Sequence, residues 1–241
     1  MTGPLLLLSN STAPGQRFLE HALGMIAQVL AGRKRLLFVP FADSDPERYT
    51  SLMQEALMPL GVRVEGLDGV ADASAALAAA EAVFVGGGNS FRLLRALRER
   101  QMLSAIGARV GEGLPYLGAS AGANLACPTI RTTNDMPICE AGSLDALGLI
   151  PFQINPHYVD PDPGSVHMGE TRARRLDEFL EVNDVPVLGL REGSWLHVAE
   201  ARAILGGVAG ARLFRRGAAP QEMPVGTDCS WLLDVRPRYD A

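Results

Sequence analysis

Short apolar runs alternate with amphipathic, helix-like segments along the first half of the chain, and this alternation is the strongest constraint on its fold. Such runs are typical of strands buried on both faces of a parallel sheet, with helices as the connections. The predicted strands are Leu5–Ser9, Arg35–Phe41, Val62–Gly66, Ala82–Val85 and Pro115–Gly118. The predicted helices cover Gln16–Ala31, Pro46–Leu60 and Ala71–Ala80, and a further helix begins at Phe91.

The second half of the chain does not continue the alternation of strands and helices. Prolines at positions 128, 137, 151, 156, 161 and 163 break it into turns and short strands. A helix is predicted over 170–181, followed by strands over 187–190, 194–199, 201–205 and 211–214 that end in an antiparallel hairpin. No repeat or linker divides the chain. We therefore predict one α/β domain over residues 1–215 and a tail over 216–241 that packs on the domain or extends from it.

Composition excludes several classes of protein. A chain of 241 residues with 47% hydrophobic and 20% charged residues is typical of a compact globular protein and not of a disordered one. The net charge of -5 lacks the surplus of Lys and Arg that nucleic-acid binding needs. Apolar runs such as Leu5–Leu8 are far shorter than the ~20 residues that span a bilayer, and no secretory leader pattern is present. We expect a cytoplasmic protein with no nucleic-acid or membrane partner, and leave open whether it forms a homodimer.

No metal or cofactor is expected from the residue pattern. Cys127, Cys139 and Cys229 have no CxxC spacing, so reduced structural thiols are predicted. The acidic residues in Asp160-Pro161-Asp162 have no His or Cys cluster beside them, which favours a solvated loop. The loop Gly86–Ser90 matches neither a phosphate-binding loop nor a dinucleotide fingerprint.

Two turns at predicted strand ends are candidates for chemistry, because ligands gather at the carboxyl ends of parallel strands. Residues 118–122 (GASAG) place Ser120 in a G-x-S-x-G turn between a strand and a helix, where it would be a nucleophile with the Ala121 amide facing an oxyanion. The three glycines of Gly86–Ser90 would offer bare N–H groups to an anion. The glycines beside Ser120 could instead serve only close helix–strand packing, and Gly86–Ser90 could be only a structural turn.

A serine nucleophile needs a histidine base and an acid that orients it. His21 and His197 lie in a predicted helix and strand, and His167 lies in an unremarkable loop. His157 follows Pro156 in a short extended run, which suits an imidazole held in one orientation. Two acids are candidates because both occupy turn-like positions beside strands, and spacing does not choose between Asp135 and Glu192.

Six segments together resemble the peptidase E, or aspartyl dipeptidase, family. They are residues 7–11 (LLSNS), 39–42 (VPFA), 85–89 (VGGGN), 118–137 (GASAGANLACPTIRTTNDMP), 153–157 (QINPH) and 169–172 (GETR). The resemblance covers residues 5–214 and implies a class I glutamine amidotransferase-like, flavodoxin-like three-layer sandwich with serine in place of the cysteine nucleophile. It also implies hydrolysis of the bond after an N-terminal aspartate in dipeptides and short peptides, without metal or cofactor.

The resemblance also implies roles for individual residues. Ser120 would be the nucleophile and His157 the base, with the backbone amides of Gly88 and Ala121 as oxyanion donors. Both family positions for the triad acid are kept, as Asp135 and Glu192.

The resemblance implies that the substrate's aspartate side chain pairs with Arg172. Sequence context alone would make Arg172 an ordinary solvated helix residue. Asn89 is the other expected substrate-binding residue.

Two features depart from the family pattern. Arg191 places a positive charge beside Glu192, and the segment after Gly217 has no recognisable counterpart.

Two other functions fit parts of the same pattern. A cyanophycinase-like peptidase acting on β-aspartyl polymer would share the fold and the serine turn. A small-anion-binding module would hold a phosphate on the Gly86–Ser90 loop, with Ser120 serving only packing.

Overall fold

The computed structural model describes residues 2–161, 164 and 169–240. Its strands are β1 (Leu5–Leu8), β2 (Arg35–Val39), β3 (Arg63–Gly66), β4 (Ala82–Val85), β5 (Tyr116–Ala119), β6 (Gln153–Tyr158), β7 (Val187–Arg191), β8 (Ser194–Ala199), β9 (Arg202–Gly207), β10 (Ala211–Phe214) and β11 (Gln221–Met223). Its α-helices are α1 (Leu23–Leu30), α2 (Pro46–Leu57), α3 (Ala73–Ala79), α4 (Ser90–Glu99), α5 (Met102–Gly111), α6 (Ala121–Ala126) and α7 (Arg172–Val182).

The larger sheet has seven strands among the described residues, in the order β3-β2-β4-β5-β1-β8-β9. The first five are parallel, whereas β8 and β9 are antiparallel and close one edge. All four residues of β1 are at most 1% exposed, as expected of an apolar strand covered on both faces. The carboxyl ends of β4, β5 and β1 therefore lie side by side at one edge, where ligand sites of parallel sheets form.

Helices cover both faces of this sheet, so the predicted three-layer α/β architecture is confirmed. Leu6 and Leu8 of β1 belong to the apolar cluster that includes Ile26 of α1 and Met53 of α2. Leu5 and Leu7 face the other way, into the larger cluster that includes residues of α3, α4, α5 and α6. The alternation of side chains along one strand thus builds two cores. In the part of the chain that the structure describes, no helix combines the length and the apolar character needed to cross a bilayer.

The second sheet was not predicted from the sequence. Its described strands run in the order β11-β10-β7-β6, with β6 and β7 parallel and the other pairs antiparallel. The four strands predicted after residue 186 are therefore divided between two sheets. β8 and β9 form an antiparallel hairpin at the edge of the larger sheet, while β7 and β10 join the smaller one. One face of the smaller sheet packs against α7 through a separate apolar cluster that includes Tyr158, Leu176 and Phe214.

The first predicted helix is shorter than its sequence pattern suggested. A single 3₁₀ turn occupies Glu20–Ala22 and the α-helix begins only at Leu23. The cause is Leu19, which adopts a left-handed conformation with φ 58° and donates its amide to the Ser11 carbonyl, 2.6 Å away. That bond belongs to a turn after β1 and competes with continuation of the helix toward Gln16.

The tail over residues 216–240 packs on the body of the protein. It supplies β11 to the second sheet and buries Cys229 and Leu232 in the larger core. Near its end, the Tyr239 hydroxyl accepts a hydrogen bond from Gln153 Nε2 at 3.0 Å, and Asp240 pairs with Arg131 at 2.9 Å.

Candidate active site

Ser120 occupies a strained turn between β5 and α6. Its φ of 53° and ψ of −108° are costly for any residue but glycine, and such strain typically persists where the surroundings enforce it. The flanking glycines are required sterically. A Cβ on Gly118 would lie 2.5 Å from the Gly122 carbonyl oxygen, and one on Gly122 would lie 2.2 Å from the Val85 carbonyl oxygen. The glycines therefore allow close packing of the turn and, at the same time, let the Ser120 hydroxyl face outward. The two roles predicted for them do not exclude each other.

A continuous chain of hydrogen bonds runs from this serine through a histidine to a glutamate. Ser120 Oγ lies 3.0 Å from His157 Nε2, and His157 Nδ1 lies 2.7 Å from Glu192 Oε1. The chain fits a neutral imidazole that accepts a proton from the hydroxyl while its other nitrogen donates to the carboxylate. The imidazole and carboxylate side chains are 38% and 43% exposed, so the site is open to substrate.

His157 and Glu192 come from neighbouring strands of the second sheet. His157 lies in β6, where the register to β7 shifts between Asn155 and Tyr158, and its own φ is 51°. A bulge of this kind redirects a side chain and frees a backbone group from the ladder. Glu192 directly follows β7, in the turn formed with Gly193 that leads back into the larger sheet.

Asp135, the other candidate acid, is bound elsewhere. Its Oδ2 accepts hydrogen bonds from the Ser90 amide at 2.8 Å, the Ser90 hydroxyl at 2.7 Å and the Thr133 hydroxyl at 2.9 Å. These contacts fix the first turn of α4, immediately after the Gly86–Ser90 loop. The structure thus brings Glu192 to the imidazole and Asp135 to the neighbouring loop.

The Gly86–Ser90 loop has little capacity for a phosphate. Its amides are bonded to the Val39 carbonyl (Gly86), the Tyr49 hydroxyl (Gly87), the Ala42 carbonyl (Asn89) and Asp135 (Ser90). Within the described residues, only the Gly88 amide of this loop has no partner. Gly88 has φ 131°, and a Cβ there would lie 2.4 Å from the Ala42 carbonyl oxygen, so the backbone must be bare at this point.

The Ala121 amide is also without a hydrogen-bond partner among the described residues, since it belongs to the first turn of α6. Gly88 and Ala121 follow adjacent parallel strands, β4 and β5. A Cβ on Gly87, the residue before Gly88, would lie 3.1 Å from Ser120 Cβ, so the glycine loop runs directly beside the serine. Two unpaired amides beside a hydroxyl nucleophile are what a developing oxyanion requires.

Asn89 caps α4 and links it to the segment after α6. Its Oδ1 accepts from the amides of Phe91 and Arg92 at 3.1 and 3.0 Å, and its Nδ2 donates to the Met136 carbonyl at 2.9 Å. Both polar atoms of the side chain are thus engaged within the protein. The predicted contact with substrate would have to compete with these bonds.

Arg172 is the first residue of α7 and is half-buried. Burial, with the nearby charge of Arg175, lowers the pKa of its guanidinium, while the negative charge of Asp135 acts in the opposite direction. The guanidinium donates no hydrogen bond to the part of the chain that the structure describes. Its N–H groups are therefore available to a carboxylate, which a planar guanidinium binds in bidentate fashion.

Arg191 does not bind the neighbouring Glu192. Its guanidinium donates to both carboxylate oxygens of Asp160, at 2.7 and 2.9 Å, and to Glu222 at 2.9 Å. Asp160, the first acid of the Asp-Pro-Asp segment, thus holds an arginine, and this contact lowers its pKa. Asp162 lies outside the described residues.

His21 and His197 do not join the hydrogen-bonded chain. His21 and His197 are half-buried and desolvation lowers the pKa of each. The ring centroid of His21 lies 6.4 Å from that of Trp195. His167 lies outside the described residues.

Sequence reasoning missed several polar residues beneath the site. Ser9 and Asn10, which directly follow β1, are 0% and 2% exposed and contact the segments that carry His157 and Glu192. Tyr49 reaches from α2 to the Gly87 amide. The rule that sites form at the carboxyl ends of parallel strands could have singled out Ser9 and Asn10, whereas nothing local marks Tyr49.

Comparison with known proteins shows the family of this chain. The model of peptidase family S51 matches residues 5–206. Peptidase E of Streptomyces coelicolor is 59% identical over 236 residues, covering 98% of this chain and 97% of the relative. A Drosophila melanogaster protein named "Probable alpha-aspartyl dipeptidase" is 48% identical over 232 residues, covering 95% and 97%. A crystal structure of a peptidase from an acI-B1 actinobacterium shares the fold, with a TM-score of 0.66 at 19% identity over 95% of this chain and 96% of the other. The chain therefore belongs to peptidase family S51.

Proposed function

We propose that this chain is a serine exopeptidase that hydrolyses the bond after an N-terminal aspartate in dipeptides and short peptides. The observation that carries the proposal is the hydrogen-bonded chain from Ser120 through His157 to Glu192. The substrate class is supported by the relatives named peptidase E and alpha-aspartyl dipeptidase. No metal or cofactor takes part in the proposed reaction.

In the proposed mechanism, Ser120 Oγ attacks the carbonyl carbon of the Asp–X bond while His157 Nε2 takes the hydroxyl proton. Glu192 holds the imidazole tautomer and stabilises the imidazolium that forms. The amides of Gly88 and Ala121 donate to the oxyanion. His157 then protonates the departing amine, and water, activated by the same imidazole, releases aspartate from the acyl-enzyme.

Arg172 is proposed to bind the aspartate side chain of the substrate. The protein as a whole is acidic, with net charge -5, so an anionic side chain needs a local positive contact. The guanidinium of Arg172 donates no hydrogen bond to any described residue, so its N–H groups can bind a substrate carboxylate. It is also partly desolvated, and this strengthens a charge-assisted pair with a carboxylate. Replacing Arg172 with Lys keeps the charge but removes the bidentate geometry, and we expect KM for Asp-Leu to rise about tenfold.

The test of the proposed function is steady-state hydrolysis of a dipeptide panel by the wild type and Ser120→Ala. We expect Asp-Leu to be cleaved, Leu-Leu to be cleaved poorly, and Ser120→Ala to be folded but inactive. Wild-type turnover of Asp-Leu by Ser120→Ala would refute the nucleophile. Equal cleavage of Leu-Leu and Asp-Leu would refute the specificity.

The two alternative functions are separated by the same assay and by the loop geometry. A β-Asp-Arg substrate added to the panel distinguishes a cyanophycinase-like activity, which would prefer it to α-Asp-Leu. The anion-binding alternative finds little support, because four of the five amides in the Gly86–Ser90 loop are already hydrogen-bonded within the protein.

The cytoplasm is the proposed place of action. Cys127, Cys139 and Cys229 are all free thiols in the structure, and free thiols persist in a reducing compartment. Fractionation of cells that produce the protein, followed by activity measurement, tests this placement. Activity confined to an oxidising compartment would refute it.

A further inference from the structure

The last residue of β1 and the two residues after it contact the segments that carry the proposed nucleophile, base and acid. The Leu8 carbonyl accepts the Ser120 amide at 3.0 Å. The Ser9 hydroxyl accepts the His157 amide at 2.9 Å, and Asn10 Oδ1 accepts the Gly193 amide at 2.8 Å. One tripeptide therefore contacts Ser120, His157 and the residue next to Glu192.

The Ser9 hydroxyl accepts a backbone amide that the bulge in β6 leaves without a partner in the sheet. His157 has φ 51° and lies within the register shift between β6 and β7, so its amide does not bond within the strand ladder. The hydroxyl accepts this amide and donates its own proton to the Leu190 carbonyl of β7 at 2.8 Å. One side chain thus joins the strand of His157 to the strand that precedes Glu192.

Asn10 makes a similar contact with the turn that carries Glu192. Its Oδ1 holds the Gly193 amide, and its Nδ2 donates to the Thr12 carbonyl at 2.9 Å, which fixes the amide plane. Ser9 and Asn10 are 0% and 2% exposed, so water does not replace either contact. Buried polar groups that lose their partners cost free energy, and the surrounding backbone then moves to recover them.

We propose that Ser9 and Asn10 are positioning residues that set the His157–Glu192 pair against Ser120. The proposal rests on the triad of the proposed function. The larger sheet carries Ser120 and the smaller sheet carries His157 and Glu192, so their alignment depends on contacts between two separate sheets. Ser9 and Asn10 supply such contacts at the site itself, from a strand that is hydrogen-bonded to the strand of Ser120.

The experiment is a double-mutant cycle on kcat for Asp-Leu, with Ser9→Ala and Glu192→Gln singly and together. Misplacing a catalytic group by about 1 Å can cost ~10²-fold, so we expect Ser9→Ala to lower kcat by 10- to 100-fold and to change KM by less than about threefold. In the Glu192→Gln background the negative charge that the His157–Glu192 pair brings to the transition state is already absent. There we expect Ser9→Ala to lower kcat by less than about threefold.

A merely structural role gives a different pattern. It predicts equal losses from Ser9→Ala in both backgrounds, and that result would overturn the proposal, as would wild-type kcat in Ser9→Ala. Asn10→Ala should lower kcat in the same sense, and wild-type kcat in that variant would overturn the role of Asn10. Thr129→Val is the control, because Thr129 is 5% exposed and its hydroxyl accepts a hydrogen bond from Gln153, outside the proposed site. We expect this control to retain wild-type kcat.

If Ser9→Ala does not fold, Ser9→Cys replaces it, because a thiol is similar in size but a weak acceptor. Failure of both variants to fold would assign Ser9 to folding and overturn the proposal. Ser120→Ala separates this proposal from the proposed function. Loss of activity in Ser120→Ala and Glu192→Gln with full activity in Ser9→Ala refutes only the positioning role, whereas activity in Ser120→Ala refutes the mechanism itself.

Discussion

Replacing Glu192 with Gln tests the proposal that its charge stabilises the imidazolium of His157. The carboxylate lies 2.7 Å from Nδ1, and two unit charges about 4 Å apart near a protein surface attract by ~4 kcal/mol. The imidazole and carboxylate side chains are 38% and 43% exposed, so water screens part of this attraction. We take about 3 kcal/mol as lost in the transition state, which corresponds to a ~10²-fold lower kcat.

The assay is steady-state hydrolysis of Asp-Leu, with the thermal midpoint of unfolding measured on the same samples. Gln fills the same volume at an exposed turn, so we expect the thermal midpoint to stay within about 2 °C of the wild type. KM should change little, because the imidazolium forms only during the reaction. A kcat within threefold of the wild type would refute Glu192 as the triad acid. It would also refute the electrostatic reasoning behind the magnitude.

Three further predictions concern the surroundings of the site. Asp135→Asn removes a carboxylate that accepts three hydrogen bonds at the start of α4, so we expect lower stability by ~1–3 kcal/mol together with lower kcat. Urea unfolding checks this, and an unchanged midpoint would contradict it. Gly122→Ala places a Cβ 2.2 Å from a β4 carbonyl oxygen and should destabilise the protein by more than ~3 kcal/mol. The matched control Gly111→Ala, which meets nothing within 4 Å in α5, should be neutral or slightly stabilising. Burial raises the pKa of Cys127 to about 12, so iodoacetamide at neutral pH should modify the half-buried Cys139 and leave Cys127 intact by mass spectrometry. Modification of Cys127 in the folded protein would refute that packing.

The first five strands and the two turns at the site could be predicted from the sequence. The apolar runs that became β1, β2, β3, β4 and β5 matched the observed strands to within about two residues, because burial on both faces leaves a continuous apolar signal. The turns at Ser120 and Gly88 were also readable, since only small residues tolerate such backbone geometry. Local context also indicated His157 and the two candidate acids, and resemblance to a family then supplied Arg172.

The division of the strands into two sheets could not be predicted from the sequence. The strands after residue 186 have similar lengths and composition, yet β8 pairs with β1 while β7 pairs with β6 and β10. Strand pairing depends on contacts between segments far apart in sequence, and local periodicity carries no information about them. The competition between a Leu19 hydrogen bond and the first helix is a smaller example of the same limit.

The sequence by itself determined the strand–turn–helix units, the strained serine turn and, through its resemblance, the family. Only the tertiary structure distinguished the two acids. Asp135 and Glu192 are each polar turn residues near a strand end, and they differ in what lies across from them. Glu192 faces the His157 imidazole because β6 and β7 are parallel neighbours, while Asp135 faces the Ser90 amide and hydroxyl at the start of α4. A hydrogen bond acts over about 3 Å, so its partner is decided by how distant segments are packed together.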